Sequence, residues 1–175
     1  MRKLSLQELG RVDIETYKTL PKSPVVVILD NIRSAHNVGS FFRTCDAFRI
    51  GHLYLCGITA QPPHREITKT AIGATSSVDW TYSQDISEVV QDLKTRGYEI
   101  IGIEQTDSSI PLSEMLISKD KKYAIVFGNE VQGLSETILP LLSQAVEITQ
   151  YGTKHSLNVS VCGGIVIWDV AKHFL

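Results

Sequence analysis

The 175-residue sequence lacks the two commonest nucleotide signatures of α/β sheets, since it contains neither G-x-G-x-x-G nor G-x-x-x-x-G-K-[ST]. It also lacks the nucleophile elbow G-x-S-x-G, which argues against a Ser–His–Asp hydrolase. Cysteine is scarce: Cys45, Cys56 and Cys162 are odd in number and lie in apolar segments. They read as free thiols of a reducing compartment and not as a disulfide framework or a zinc site. His64, His155 and His173 are isolated, read as surface residues or caps, and no cluster has metal-ligand spacing, so no metal is expected. No apolar run approaches the roughly 18 residues of a membrane span, and no secretory h-region follows Met1. The expectation is a cytoplasmic protein with no membrane partner. Charge of neither sign dominates: 17 Lys+Arg against 19 Asp+Glu give −2, so a nucleic-acid partner would need a local basic face.

What is present is a regular alternation. Short apolar runs at 25–29, 52–56, 98–103 and 123–127, with an extended piece at 145–149, predict strands buried on both faces. Helical patterns fall at 37–49, 85–96, 134–143 and 156–174, and residues 1–20 predict a further N-terminal helix. Strand–helix alternation implies an α/β domain with a mostly parallel sheet. Residues 1–24 then form a helical arm and 25–175 a single domain.

In such a sheet, ligands gather beyond the carboxyl ends of the strands. Four of those ends are polar or glycine-rich: DNIRSAHNVG, GIEQTDSS, GNEVQGLS and TQYGTKHSLN. In the third, Gly128 and Gly133 permit a tight turn or a close ligand, while Asn129 and Glu130 offer an amide and a carboxylate. The same block also reads as a plain strand–turn–helix connection with a solvated or capping Glu130. In KHSLNVSVCGGI, Ser156 is placed to cap the last helix, and Gly163-Gly164 implies close packing because glycine is costly inside a helix. The stretch QPPHREITKTAIGATSSVDW, basic in its first half, reads either as a long acceptor-side loop outside the core or equally as a structural strand–helix connection.

Three ordered blocks, NVGSFFRTCDAF, IVFGNEVQGLS and VEITQYGTKHSLNVSVCGGI, together resemble the three motifs of the SpoU branch of the SPOUT RNA methyltransferases. The resemblance implies a parallel α/β sheet whose C-terminal segment forms a deep trefoil knot. It implies transfer of a methyl group from S-adenosylmethionine, without a metal, to a ribose 2′-hydroxyl of tRNA or rRNA. It also implies a homodimer through the knot region and C-terminal helix. Donor contacts carried onto this chain are Gly128, Ile148, Gln150 and Leu157. The polar active-site positions are Asn37, Arg43, Glu130, Ser156 and Asn158. One departure stands out: Ile148-Thr149-Gln150 replaces the family's frequent Ile-Pro-Met, which removes proline rigidity and restores an N–H.

A sulfonium donor needs an aligned, more nucleophilic 2′-oxygen. Arg43, among Phe41, Phe42 and Phe48, is expected on a helix face turned toward the donor, gripping the phosphate beside the ribose. Whether it acts as base or as fixed charge stays open at this level. Arg33, Arg43, Arg65, Lys69 and Lys154 are the candidate RNA-binding cations, with Arg2, Lys3, Arg11 and Lys18 of the arm as a supplement. Two other readings remain: a catalytically inactive knotted RNA-binding protein, and an enzyme of a different nucleotide in which Glu104 grips a ribose.

Overall fold

All six residues of Val25–Asp30 are buried, as a run apolar on both strand faces requires. The computed structural model, which describes residues 1–5 and 7–175, places this strand, β1, near the middle of a seven-stranded sheet. The others are β2 (His52–Cys56), β3 (Trp80–Ser83), β4 (Tyr98–Ile103), β5 (Ile110–Pro111), β6 (Lys122–Phe127) and β7 (Gln144–Glu147). Their order is β3-β2-β1-β6-β4-β7-β5, and the pairings are parallel. The expected α/β class with a parallel sheet is what forms.

Five α-helices flank it: α1 (Ile14–Thr19), α2 (Ala35–Ala47), α3 (Arg65–Ala71), α4 (Ile86–Thr95) and α5 (Val159–Ala171). Strand alternation divides the core. Val25, Val27 and Leu29 share an apolar cluster with Phe41, Phe42, Ile67, Val166 and Val170 of α2, α3 and α5. Val26 and Ile28 point the other way and share one with Val89, Val90 and Leu93 of α4. The glycine pair of α5 has two different surroundings. A Cβ on Gly163 would overlap the Phe41 ring, so α5 approaches α2 there as closely as glycine allows, whereas Gly164 faces open space.

The structure departs from the sequence reading in four places. The stretch 61–80 is not a loop outside the core: it forms α3 and a 3-10 turn at Ala74–Ser76, and it buries Ile67, Ala71, Ala74 and Val78. Residues 134–143 do not make an α-helix, only a 3-10 turn at Leu139–Leu141. Pro140 has no N–H to offer Glu136, and the Ser135 N–H is taken by Asp30 at 2.6 Å. Among the described residues of the first twenty, helix is confined to Ile14–Thr19, capped by Asp13, whose carboxylate accepts the Thr16 N–H. The last helix starts at Val159 and is capped by Asn158, not Ser156.

Cys45 and Cys56 are buried free thiols and Cys162 is a partly buried one. No helix among the described residues is long and apolar enough to cross a membrane.

Candidate active site

Four polar segments leave the carboxyl ends of β1, β4, β6 and β7, and two carboxylates, Asp30 and Glu104, tie the first three together. Asp30, which ends β1 and is fully buried, accepts the Ser135 N–H at 2.6 Å and its hydroxyl at 2.9 Å. Glu104, just past β4, accepts the Leu134 N–H at 2.9 Å through one oxygen and the Gln105 N–H at 2.9 Å through the other. The segment after β6 is therefore anchored to strands on both sides.

That segment is closed on itself by two bonds of 2.9 Å, Asn129 N–H to Gly133 O and Gly133 N–H to Asn129 O. The Asn129 amide donates to Asn31 O at 2.7 Å, while its oxygen accepts the N–H groups of Val131 and Gln132. Gly128 is required by this closure: a Cβ there would overlap the backbone of Gly133 and Leu134. Its absent side chain thus serves the turn itself.

The turn projects Glu130 onto the start of α2. Its carboxylate accepts Arg33 N–H at 2.9 Å, Ser34 N–H at 3.2 Å and the Asn37 amide at 3.0 Å. The two backbone donors sit at and just before the Ser34 cap of α2, where a negative charge is favoured. Partial burial raises the Glu130 carboxyl, but donors from Arg33, its own N–H, Asn37 and Ser34 together hold it below the usual carboxylate range. Asn37, itself 7% exposed, accepts in turn from the Asn158 amide at 3.3 Å. The Asn158 oxygen is occupied as the α5 cap, accepting Ser160 N–H at 2.9 Å and Val161 N–H at 3.3 Å. The resulting chain, Asn158 to Asn37 to Glu130, fixes the direction of both amides and joins the three sequence blocks.

Beside it lies a cavity of about 510 Å³. Gly128, Ile148, Gln150 and Leu157 line it together, as do Glu130, Ser156 and Asn158. Ile103, Phe127 and Val159 give it an apolar wall, which with a few convergent polar groups is the usual make-up of a small-molecule pocket. Sequence reading did not place Glu147, His155 or Cys162 at a site; His155 is exposed, as a surface residue should be, and all three line the cavity. The only available signal was their adjacency to the motif blocks.

Arg43 is elsewhere. It is exposed while Phe41 and Phe42 are buried, so it stands apart from the phenylalanines as expected. Yet within one chain it does not line the cavity. Asn37 and Arg43 are six residues apart, which sets them about 120° apart around the helix axis. Arg43 instead separates two other depressions. One, of about 480 Å³, runs under the arm beside Arg11 and Arg49. The other, of about 560 Å³, is shared with His36 and Lys69. Of the remaining cations, Arg33, Arg65 and Lys154 are exposed, and none of the five forms an ion pair among the described residues.

Comparison with known proteins adds the following. A model of the SpoU rRNA Methylase family matches residues 24–168. The tRNA (guanosine(18)-2′-O)-methyltransferase of Aquifex aeolicus is 32% identical over 152 residues, 85% of this chain and 69% of its own. The 23S rRNA (guanosine-2′-O-)-methyltransferase RlmB of Neisseria meningitidis serogroup B is 29% identical over 158 residues, 90% of this chain and 62% of that one. Among solved structures, the A. aeolicus TrmH/SpoU tRNA modifying enzyme superposes with a TM-score of 0.79 at 26% identity, covering 91% of this chain and 79% of that one. The AdoMet-bound rRNA methyltransferase from Sinorhizobium meliloti shares the fold, with a TM-score of 0.81 at 22% identity over 91% of this chain and 60% of its own.

Proposed function

The chain belongs to the SpoU rRNA methylase family, and from that premise we propose that it transfers a methyl group from S-adenosylmethionine to a ribose 2′-hydroxyl of tRNA or rRNA. The observation that carries the reading is the convergence of segments from 103 to 162 on one cavity, two of whose lining residues, Glu130 and Asn158, are bridged by Asn37. The names of the A. aeolicus and N. meningitidis relatives support the reaction, and the AdoMet-bound neighbour supports the donor.

When bound, the donor supplies a methyl group already activated by its sulfonium. The chain's own residues have the task of positioning. Ile148, Leu157 and Gly128 shape the donor side, and Gln150 keeps a place on it despite the loss of proline at 149. Ser156 and the Asn37–Asn158 pair stand where the hydroxyl approaches. Glu130, engaged by three donors, orients Asn37 and stays ionised. Arg43 stays charged, grips the phosphate beside the target ribose and stabilises the developing alkoxide; a guanidinium with a pKa above about 12 is a poor base.

Since Arg43 lies outside the cavity of its own chain, a second copy supplies it. We place the homodimer contact on the exposed face of α5, where Val161, Ile165 and Trp168 are 54%, 42% and 51% exposed. Val166 and Val170 of the same helix are used up in the chain's own core. The knot is part of the same proposal: the segment between β7 and α5 crosses back over the end of β6 to bring Asn158 to Asn37. Arg33, Arg43, Arg65, Lys69 and Lys154 meet the RNA, residues 1–24 act as an accessory arm to the domain at 25–175, and the enzyme works in the cytoplasm.

The test is mass-spectrometric mapping of ribose methylation in tRNA and rRNA from a strain lacking the gene. One 2′-O-methyl mark should vanish and return on complementation. An unchanged map would remove the reading and favour an inactive RNA-binding protein.

A further inference from the structure

Three carboxylates reach the cavity, from Glu104, Glu130 and Glu147, and among the described residues its lining holds no lysine or arginine. Glu130 is committed to α2. The other two are not neutralised. Glu104 is fixed by one backbone N–H on each oxygen, and each oxygen keeps a lone pair for a further partner. Room is made for it: Gly133, at φ 72°, has no Cβ, and one there would overlap the Glu104 carboxylate. Glu147 ends the neighbouring strand and is partly buried, and its carboxylate has no hydrogen bond or ion pair among the described residues. Across the cavity, burial and the charge of Glu104 push the Cys162 thiol up to about 11, so this carboxylate's field reaches the space between them. The apolar wall weakens screening. Fixed negative charges without a cation, in a pocket of ligand size, suit a ligand that is itself positive.

We propose that Glu104 and Glu147 make the donor cavity selective for the cationic sulfonium over the neutral thioether that remains after transfer. The inference rests on the donor reading above. In the transfer the C–S bond breaks, the sulfur keeps its electron pair and becomes neutral, a C–O bond forms, and the hydroxyl proton is lost to solvent. The spent ligand has then lost the sulfonium's share of the attraction to both carboxylates, and this change of charge favours product release.

Calorimetry with S-adenosylmethionine, S-adenosylhomocysteine and sinefungin tests this. All three share the amino-acid and adenosine parts, and sinefungin carries an ammonium near the position of the sulfonium. The wild type should bind both cationic ligands about tenfold more tightly than the thioether, a difference of ~1.4 kcal/mol. Glu104→Gln and Glu147→Gln should each shrink that preference by about threefold while leaving thioether affinity within about twofold. Equal affinity of the wild type for the three ligands would overturn the proposal, as would an equal loss for all three in both variants. If Glu104→Gln does not fold, Glu147→Gln decides alone, since its carboxylate bonds nothing in the fold. Binding of none of the three by the wild type would remove the donor reading itself.

Discussion

Asn37 and Glu130 are separated by 93 positions in the chain and joined by a 3.0 Å hydrogen bond. This bond links the start of α2 to the turn after β6, and the Asn158 amide extends it to the start of α5. Removing either end should loosen both helix starts at once. Glu130→Ala leaves the Arg33 and Ser34 N–H groups without their acceptor. Discounted for solvent exposure, this should cost about 1 kcal/mol in urea unfolding. Asn37→Ala should cost a similar amount. Additive losses in the double variant, where coupling is expected, would show that the two side chains act independently.

The same carboxylate predicts a pH dependence. Its folded-state ionisation lies below the usual range. The stabilisation is therefore fully present above the unfolded value, about 4.3, and is lost as pH falls through the lower folded value. Between neutral pH and the low end of the carboxylate range the wild type should lose more stability than Glu130→Gln. Parallel losses in denaturant titrations would place the Glu130 charge outside the folding balance.

Arg43→Ala should leave calorimetric donor affinity nearly unchanged and reduce single-turnover transfer by a few hundredfold, ~3–4 kcal/mol by analogy with losing one oxyanion donor. Arg43→Lys should recover little, because an ammonium cannot reproduce the planar paired contact with phosphate. Mixing Arg43→Ala with Asn158→Ala tests the origin of the arginine. If it crosses a two-fold interface, random exchange should restore about a quarter of wild-type activity through one intact site per mixed dimer. No restoration would return Arg43 to its own chain.

The glycine pair of α5 makes opposite predictions for adjacent residues. Gly163→Ala pushes a methyl into the Phe41 ring and should cost about 1–3 kcal/mol by overpacking. Gly164→Ala meets open space and should, in the isolated chain, gain up to about 1 kcal/mol of helix propensity. Ile165→Asp on the neighbouring exposed surface should give a folded monomer in sedimentation. A dimer that survives Ile165→Asp would move the interface off α5.

These residues also show what the sequence could disclose. Continuous apolarity marked β1, β4 and β6 because a strand covered on both faces leaves no other pattern. Gly128, Ile148, Gln150 and Leu157 come from the family resemblance alone; they line one cavity because the motif blocks follow strand ends on one side of a parallel sheet. In contrast, α3 was hidden although Ile67, Ala71, Ala74 and Val78 recur at helical spacing, since Arg65, Lys69 and neighbouring prolines made the stretch look like a solvated loop. The apolar pattern at 134–143 suggested a helix, but it cannot show that Ser135 bonds to Asp30 a hundred residues away or that Pro140 ends the ladder. Arg43 was placed by analogy on the right helix. That it does not line the cavity, and lies about 120° around α2 from Asn37, is visible only in the structure.

The most direct measurement is reconstituted transfer: purified protein, labelled S-adenosylmethionine, and tRNA and rRNA from a strain lacking the gene, followed by nuclease digestion and mass spectrometry. A label in a 2′-O-methylated nucleoside, lost when Asn37→Ala or Asn158→Ala replaces the wild type, is the predicted result. Label on a base, or undiminished ribose methylation by those two variants, would contradict it.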